Sequence, residues 1–541
     1  MAWFLYLLFV NLIQIWSSQV KADTFSAIFR IEMVLETETK LISHLEKLAA
    51  DERSEGRFLS DDILEFLERA SVENKLGRSD EDFPANPLNA LRILRRYVHW
   101  WTRIPEMLQC EDCFISSHVL EYIESYDAIT QNMAEVPSAN DLKGVADGIY
   151  RLSKMYHLDL AELYGGKIKD TQTDPMDPED VLLITDILES KDLYETEIVW
   201  LEKLIDRFRS GQWDHSLIEQ RKFYKRLART FFMAGQLTET IKIIQEYLDE
   251  VPDDEIMKKE LEFYESKDDN EVERVVTRHK EFVYDAEIDE NYLRLCNGEE
   301  LRTPRQLAPL RCFSRETTIP YLRAKEEVLN YNPRIAMFHE VISHNETLVV
   351  REIAKARLIR SGLLNKDGSQ FQDRIRISQT AWVDDLDHPI IDKLSRRIES
   401  LTGLSLTRKQ RASDCEALQV LNYGVGGLYL PHWDYMLENN QQTEDLWGSG
   451  ERIATWLFYL TDVKYGGSTV YPKLKVRVPV TKGSAAFWYN MKKNTDVDER
   501  TLHAACPVLV GSKWVCNKWI RVNGQFKTRP CGLTKDDTIH D

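Results

Sequence analysis

GGLYLPHWDY, residues 426–435, sets an imidazole and a carboxylate two residues apart inside an aromatic and apolar stretch. In an extended strand residues i and i+2 project to one face, so His432 and Asp434 can reach a common point. Joined by a second histidine, they make the two-histidine, one-carboxylate set that binds non-haem Fe(II) and leaves coordination positions open. The pair alone equally describes two polar residues decorating a strand, so the surrounding text has to decide.

That text is β-rich. ALQVLNY (417–423), ATWLFYL (454–460), STVYP (468–472), KVRVP (475–479), SAAFWYN (484–490) and KWVCNKWI (513–520) are short runs separated by turn residues, the texture of a sandwich or jelly-roll barrel. In such a barrel the third ligand arrives from a distant strand, and His503 is the one downstream histidine apart from His540 near the end of the chain. Ten residues after His503 stands Lys513. A cation there can clamp the distal carboxylate of a dicarboxylate whose 2-oxo acid end chelates the metal.

The whole chain has 541 residues, which predicts two to four domains. Its net charge of −19 and pI near 5.3 exclude nucleic acid as the main partner, because phosphate binding needs a concentrated basic surface. MAWFLYLLFVNLIQIWSSQVKA (1–22) reads as a secretory signal peptide cleaved before Asp23, with an N-terminal anchor as the alternative. No later apolar run is long enough to span a bilayer, so a soluble mature chain is expected. Entry into the secretory pathway permits disulfides among the eight cysteines. Cys110 and Cys113 form a lone C-x-x-C, read as a loop disulfide or two free thiols. Asn345-Glu346-Thr347 is a glycosylation sequon.

Upstream of the β-rich region the text is helical. Ile28, Ile31, Leu35, Ile42, Leu45 and Ala49 form a near 3-4 seam interrupted by Glu38, suited to pairing with another helix of a second copy or of its own domain. Helical text continues to about Leu163, through the aromatic NALRILRRYVHWW (89–101), and KDTQTDPMDPED (169–180) marks a boundary. YKRLARTFFMAGQLTETIKIIQEYLDEVP (224–252) fits a tetratricopeptide frame with Gly235 at the turn and Pro252 at the close. VLLITDILESKDLYETEIVWLEKLI (181–205) is a looser version turning at Asp192-Leu193. Flanking helices must cap these two pairs, whose concave face suits an extended peptide. The acidic stretch 265–274 reads as a linker or solvated helix.

NYGVGGLYLPHWDY (422–435), ERIATWLFYLTDVKYGGSTVYP (451–472), GSAAFWYN (483–490) and HAACPVLVGSKWVCNKW (503–519) resemble the 2-oxoglutarate- and Fe(II)-dependent dioxygenases, and among them the α subunits of animal collagen prolyl 4-hydroxylases. The resemblance spans the mature chain. It implies a signal peptide (1–22), an all-α dimerisation domain (23–165), a tetratricopeptide-like peptide-substrate-binding domain (175–265), a linker with a helical and cysteine-bearing segment (266–330), a catalytic double-stranded β-helix (331–531) and a tail (532–541). It makes His432, Asp434 and His503 the iron ligands, Lys513 the partner of the 2-oxoglutarate C5 carboxylate, and Tyr423 a second cosubstrate contact. Tyr429, Arg452 and Trp519 match peptide-contacting positions. On the tetratricopeptide helix Tyr224, Phe231 and Phe232 would contact peptide, with Arg229 where another aromatic hydroxyl is due.

YLRLCNGE (292–299) also fits, implying disulfides Cys296–Cys312 and Cys506–Cys531. Ascorbate is implied as a further cofactor, and protein disulfide isomerase as the β subunit of an α2β2 tetramer. That partner would hold the chain in the endoplasmic reticulum lumen, since TKDDTIHD (534–541) is not a KDEL-type retrieval signal. The implied activity is hydroxylation of proline C4 in X-Pro-Gly sequences of collagen-like chains. The alternatives are the same chemistry on other proline-rich secreted proteins, or a non-catalytic collagen-binding subunit.

Overall fold

The structure is a computed structural model that describes residues 23–534, apart from 81, 110–114, 134, 214–216, 268–285, 320, 322, 365–369, 372–374, 407–413, 437–449 and 533. The leader, the Cys110-Cys113 pair and nearly all of the acidic stretch and of the tail lie outside the described residues. Contacts divide the chain into one unit of residues 1–141 with 285–541, and a second of 142–284. Among the described residues no helix is long and apolar enough to cross a membrane.

Four helices open the first unit: α1 Ile28–Ser54, α2 Asp61–Ser79, α3 Pro87–Arg96 and α4 Ser117–Gln131. Pro87 occupies the first turn of α3, and the Asn86 side chain accepts the Leu88 N–H, so both residue types sit where a helix start favours them. The seam of α1 buries Ile28, Ile31, Leu35, Ile42 and Leu45 against α2, α3 and α4 of its own chain, while Ala49 stays half-buried. Glu38, the interruption in the seam, is 1% exposed. It accepts from Arg96 Nε and Nη2, both at 2.8 Å, from Trp101 Nε1 at 3.0 Å and from Asn74 Nδ2 at 3.0 Å. A carboxylate so supplied with donors can replace an apolar knob in a core.

The second unit stacks α5 Pro178–Glu189, α6 Tyr194–Arg209, α7 Leu217–Met233, α8 Leu237–Glu250 and α9 Glu255–Glu265, each packed on the next. The turns fall where the sequence put them. Asp192 (φ 53°) and Gly235 (φ 84°) take the left-handed backbone that reverses each pair, and α9 caps the last pair.

Returning to the first unit, helices α10 Ala286–Cys296, α11 His344–Lys355 and α12 Pro389–Thr402 accompany the thirteen strands of two main sheets. These are β1 Cys312–Glu316, β2 Arg323–Tyr331, β3 Arg334–His339, β4 Ile359–Arg360, β5 Ser378–Val383, β6 Leu418–Tyr423, β7 Tyr429–His432, β8 Arg452–Tyr459, β9 Thr469–Tyr471, β10 Val476–Val478, β11 Ala485–Tyr489, β12 His503–Ala505 and β13 Trp514–Arg521. A nine-stranded antiparallel sheet runs β1-β2-β3-β11-β8-β13-β6-β5-β4, and a four-stranded sheet runs β7-β12-β9-β10. Alternation sorts the side chains into two cores. Tyr423, Leu457, Trp488 and Val515 join a core with minor-sheet residues Tyr471, Val476, Val478 and Ala505. Val420, Trp456, Phe458, Phe487 and Trp514 belong to a second core with Val350, Ala354, Leu394 and Ile398 of α11 and α12.

Helix α11 opens with a capping box, in which Ser343 and Glu346 satisfy each other's backbone N–H groups. Asn345 is exposed in its first turn, whereas the sequon's Thr347 is buried and donates its hydroxyl to the His344 carbonyl at 2.7 Å.

The expected disulfides are corrected. Cys296 bonds Cys506, with Cα atoms 5.5 Å apart, and Cys312 and Cys531 are exposed and free. Helix α10 packs on β9 and β10, with Asn291 Nδ2 donating to the Pro472 carbonyl at 3.3 Å. Cys506 N donates to Ser468 O beside those strands, so the helix end carrying Cys296 meets the residue just after β12. Cys312 instead sits on edge strand β1 of the nine-stranded sheet, and the pairing that the resemblance implied is not made.

Candidate metal centre

The minor sheet brings the two histidines together. Strand β7 pairs with β12 so that His432 stands opposite His503, and the rings lie 4.4 Å apart between centroids. Asp434 falls two residues past the end of β7, so strand alternation alone does not aim it. Its Oδ2 accepts the Thr455 hydroxyl at 2.6 Å, and Thr455 Oγ1 accepts from Asn490 Nδ2 at 3.0 Å. All three residues of this relay are buried. Asp434 Oδ1 then stands 3.9 Å from His432 Nε2, and Oδ2 stands 3.7 Å from His503 Nε2. One ligand atom from each of the three residues lies within 4.8 Å of the others.

Proton positions follow from the partners. His432 Nδ1 faces the Leu430 carbonyl at 2.8 Å, and His503 Nδ1 faces the Thr501 carbonyl at 3.0 Å. A carbonyl oxygen only accepts, so both rings carry hydrogen on Nδ1 and turn Nε2 inward, the atom left for a ligand bond. The Tyr429 ring stacks on His432 at 3.5 Å and 18°, and Trp488 meets His503 edge-on at 4.8 Å, fixing both ring planes. Burial, aided by His503, pushes the His432 pKa down to about 3, which keeps that ring neutral. Burial alone would raise Asp434, but the two imidazoles, Arg452 and the Thr455 hydrogen bond outweigh it, and its carboxyl stays ionised below the ordinary range. Two imidazoles and one carboxylate are the donor set that fits Fe(II).

Lys513, the residue before β13, lines the same pocket and is 1% exposed. Among the described residues no carboxylate lies within ion-pair distance of it. Its Nζ stands 4.7 Å from the centroid of the Tyr423 ring. Burial lowers its pKa to about 7 and pushes the Tyr423 phenol up to about 12. A desolvated ammonium without a counter-charge is a ready receptor for a carboxylate, as the 2-oxoglutarate assignment requires.

At the mouth, Trp519 is sandwiched between Trp382 at 6.0 Å and the Arg452 guanidinium at 3.5 Å. Arg452 clasps Glu416 at 2.6 and 2.9 Å and donates to the Asp434 carbonyl at 3.2 Å. Its guanidinium is therefore committed to holding the wall of the site. In the helical unit Tyr224 and Phe231 are only 3% and 6% exposed. Tyr224 packs on Tyr247 at 5.2 Å, and half-buried Phe232 packs on Tyr264 at 5.2 Å. Tyr224 thereby joins consecutive helices, while exposed Arg229 pairs with Glu189 at 2.8 Å.

A family model described as "Prolyl 4-Hydroxylase alpha-subunit, N-terminal region" matches residues 27–170, and one described as "2OG-Fe(II) oxygenase superfamily" matches residues 418–521. Human prolyl 4-hydroxylase subunit alpha-1 is 30% identical over 99% of this chain and 100% of its own length. The chain belongs to the prolyl 4-hydroxylase α-subunit family. Subunit alpha-1 of Caenorhabditis elegans is likewise 30% identical, over 95% of this chain and 92% of its own. Among solved structures, the viral collagen prolyl hydroxylase of Paramecium bursaria Chlorella virus-1, in its 2-oxoglutarate complex, is 26% identical over 35% of this chain and 95% of that one, with a TM-score of 0.28.

As a member of this family the chain is a 2-oxoglutarate-dependent dioxygenase with an Fe(II) centre. Three of the residues that shape its site escaped sequence reading. Thr455 was detectable as a polar residue inside the apolar ATWLFYL, as was Asn490 at the end of SAAFWYN. Arg376, 7% exposed with its guanidinium 4.8 Å from the Tyr429 ring, gave no signal.

Proposed function

We propose that this chain is the catalytic α subunit of a procollagen-proline 4-dioxygenase that hydroxylates C4 of proline in X-Pro-Gly sequences of collagen-like chains. The observation that carries the reading is the convergence of His432, Asp434 and His503 on one point in a pocket also lined by the buried cation Lys513. The full-length relatives named as prolyl 4-hydroxylase subunits support the choice of proline as substrate.

Fe(II) with 2-oxoglutarate and O2 supplies the oxidising equivalents that convert a C4–H bond of proline to C4–OH, 2-oxoglutarate leaving as succinate and CO2. The protein's share is placement. Thr455 and Asn490 hold Asp434, and the carbonyls of Leu430 and Thr501 hold both imidazoles in the ligating tautomer. Lys513 and Tyr423 receive the distal carboxylate of the cosubstrate. Trp382, 42% exposed and packed beside Trp519, offers an aromatic face on which a polyproline II chain docks at low entropic cost.

The reading extends to its setting: a cleaved leader, residence in the endoplasmic reticulum lumen, a glycan on exposed Asn345, ascorbate as auxiliary reductant, and protein disulfide isomerase as β subunit of an α2β2 tetramer. Self-association then uses surface other than the α1 seam, which is filled by its own domain. One observation favours a second reading, the same chemistry on other proline-rich secreted chains. The helical unit shows the charged pair Arg229–Glu189 where an aromatic peptide face was expected.

The test is 2-oxoglutarate turnover by the chain co-expressed with protein disulfide isomerase, with and without a (Pro-Pro-Gly) repeat peptide, and with His432→Ala as control. Peptide-stimulated succinate matched by 4-hydroxyproline, and lost in the variant, is the expected result. Iron-dependent turnover that ignores the peptide supports the second reading. Absence of turnover in a folded, iron-loaded complex refutes both and leaves a binding subunit.

A further inference from the structure

We propose that the N-terminal segment Asp23–Arg30 is a strap that positions the cosubstrate pocket, gripping from outside the two strands that present Tyr423 and Lys513 on the inside. The proposal rests on the reading of Lys513 as the receptor of the 2-oxoglutarate carboxylate.

Three fully buried residues form a row across adjacent strands: Gln379 on β5, Asn422 on β6 and Trp514 on β13, paired in direct register. Each one touches the segment. Gln379 Nε2 donates to the Asp23 carbonyl at 2.8 Å and to Ser26 Oγ at 3.1 Å, and its Oε1 accepts from Arg30 Nε at 3.1 Å. Asn422 Oδ1 accepts the Phe29 N–H at 3.0 Å, one of the first-turn donors of α1 that no helical carbonyl can serve. Trp514 receives the Phe29 ring edge-on at 6.1 Å.

The contact continues past the end of β6, where Val425 N donates to the Phe25 carbonyl at 3.1 Å. A Cβ on Gly424 would stand 2.0 Å from that carbonyl oxygen and 2.4 Å from the Ser26 carbonyl carbon. Glycine is therefore required by the strap, which leaves no room for a side chain. On its far side the segment is held by Asp141, whose carboxylate accepts the N–H groups of Thr24 at 2.5 Å and Phe25 at 3.2 Å.

Strand alternation carries this grip into the site. Asn422 and Tyr423 are neighbours in sequence, as are Lys513 and Trp514, so the residues that hold the strap and those that face the cosubstrate share a backbone and point to opposite faces. Asn422 closes the loop, since its Nδ2 donates to the Lys513 carbonyl at 3.2 Å, beside the Tyr423 N–H at 3.1 Å. One amide side chain thus joins the start of α1 to the backbone of the carboxylate-binding lysine. The iron ligands lie on or beside the other sheet, so loosening the strap should weaken 2-oxoglutarate binding and spare the metal.

The test uses the full-length chain under anaerobic conditions. Calorimetric titration of 2-oxoglutarate into the Fe(II)-loaded protein is compared for the unsubstituted chain, Phe29→Ala and Asn422→Ala, with Fe(II) affinity titrated separately. The expected result is a dissociation constant for 2-oxoglutarate raised about tenfold in each variant, with Fe(II) affinity within about twofold of the parent. Coupling is reciprocal, so in the unsubstituted chain 2-oxoglutarate should slow amide hydrogen exchange across residues 24–30. This second readout does not depend on how a variant folds. Unchanged 2-oxoglutarate affinity in both variants, or exchange at 24–30 indifferent to the cosubstrate, overturns the strap. An unsubstituted chain that binds Fe(II) but no 2-oxoglutarate overturns the reading of Lys513 and the strap with it.

Discussion

Replacing Lys513 by methionine keeps most of the length of the side chain and removes its charge, and it should move stability and binding in opposite directions. The lysine is 1% exposed and its pKa is depressed from 10.5 to about 7 by burial. At about 1.36 kcal/mol per pH unit, that depression corresponds to about 5 kcal/mol against the charged form. Between pH 7 and 10.5 the unfolded chain binds more protons than the folded one at this position. The unliganded protein therefore gains stability from this group as pH rises through that window, and has lost that contribution below about pH 7. Lys513→Met removes the penalty and should stabilise the unliganded chain at pH 7 by about 2–4 kcal/mol, part of the 5 being lost to imperfect packing. Binding should suffer, because a buried cosubstrate carboxylate deprived of its cation is disfavoured by about 3–5 kcal/mol, or about 150- to 5,000-fold in affinity. Denaturant unfolding of the cosubstrate-free protein and calorimetric titration of 2-oxoglutarate into its Fe(II) form read the two effects separately. A variant that is less stable than the parent without ligand, or that binds 2-oxoglutarate within threefold of it, would refute the reasoning.

Three further predictions follow from the geometry. The protonated lysine is the form that binds a carboxylate, so affinity for 2-oxoglutarate should fall as pH rises above about 7, with proton uptake on binding at pH 8; heats measured in buffers of different ionisation enthalpy report that proton. Thr455→Val takes the hydroxyl donor from Asp434 and should weaken Fe(II) binding about 10- to 100-fold, whereas Thr455→Ser retains most of it, as metal titration of the two variants will show. Cys296→Ser should destabilise the chain by about 2–5 kcal/mol in chemical denaturation, with Cys312→Ser and Cys531→Ser near neutral, and non-reducing peptide mapping should recover a 296–506 cross-link.

The ligand set was legible because its chemistry is local. His-x-Asp, a later histidine and a lysine ten residues beyond it are facts of residue type and spacing, and β-rich runs around them said which fold could gather them. The helix pairs were legible for the same reason, since Gly235 and Asp192 announce the reversals that the backbone takes. Even Glu38 was visible as a break in the α1 seam, although its partners Arg96, Trp101 and Asn74 are 36 or more residues away.

What the sequence by itself determined about this protein was thus its periodicities, turns and ligand types, each set within a few residues of chain. Tertiary structure alone decided the pairings between distant segments: Cys296 with Cys506 rather than Cys312, Thr455 on Asp434, and the segment Asp23–Arg30 on Gln379, Asn422 and Trp514. It also decided that Tyr224 and Phe231, aromatic and at helical spacing, are buried. The physical reason is common to all of these. Backbone preference and alternation act between near neighbours, but which surfaces meet is settled by packing the whole chain at once, and no single stretch of residues carries that information.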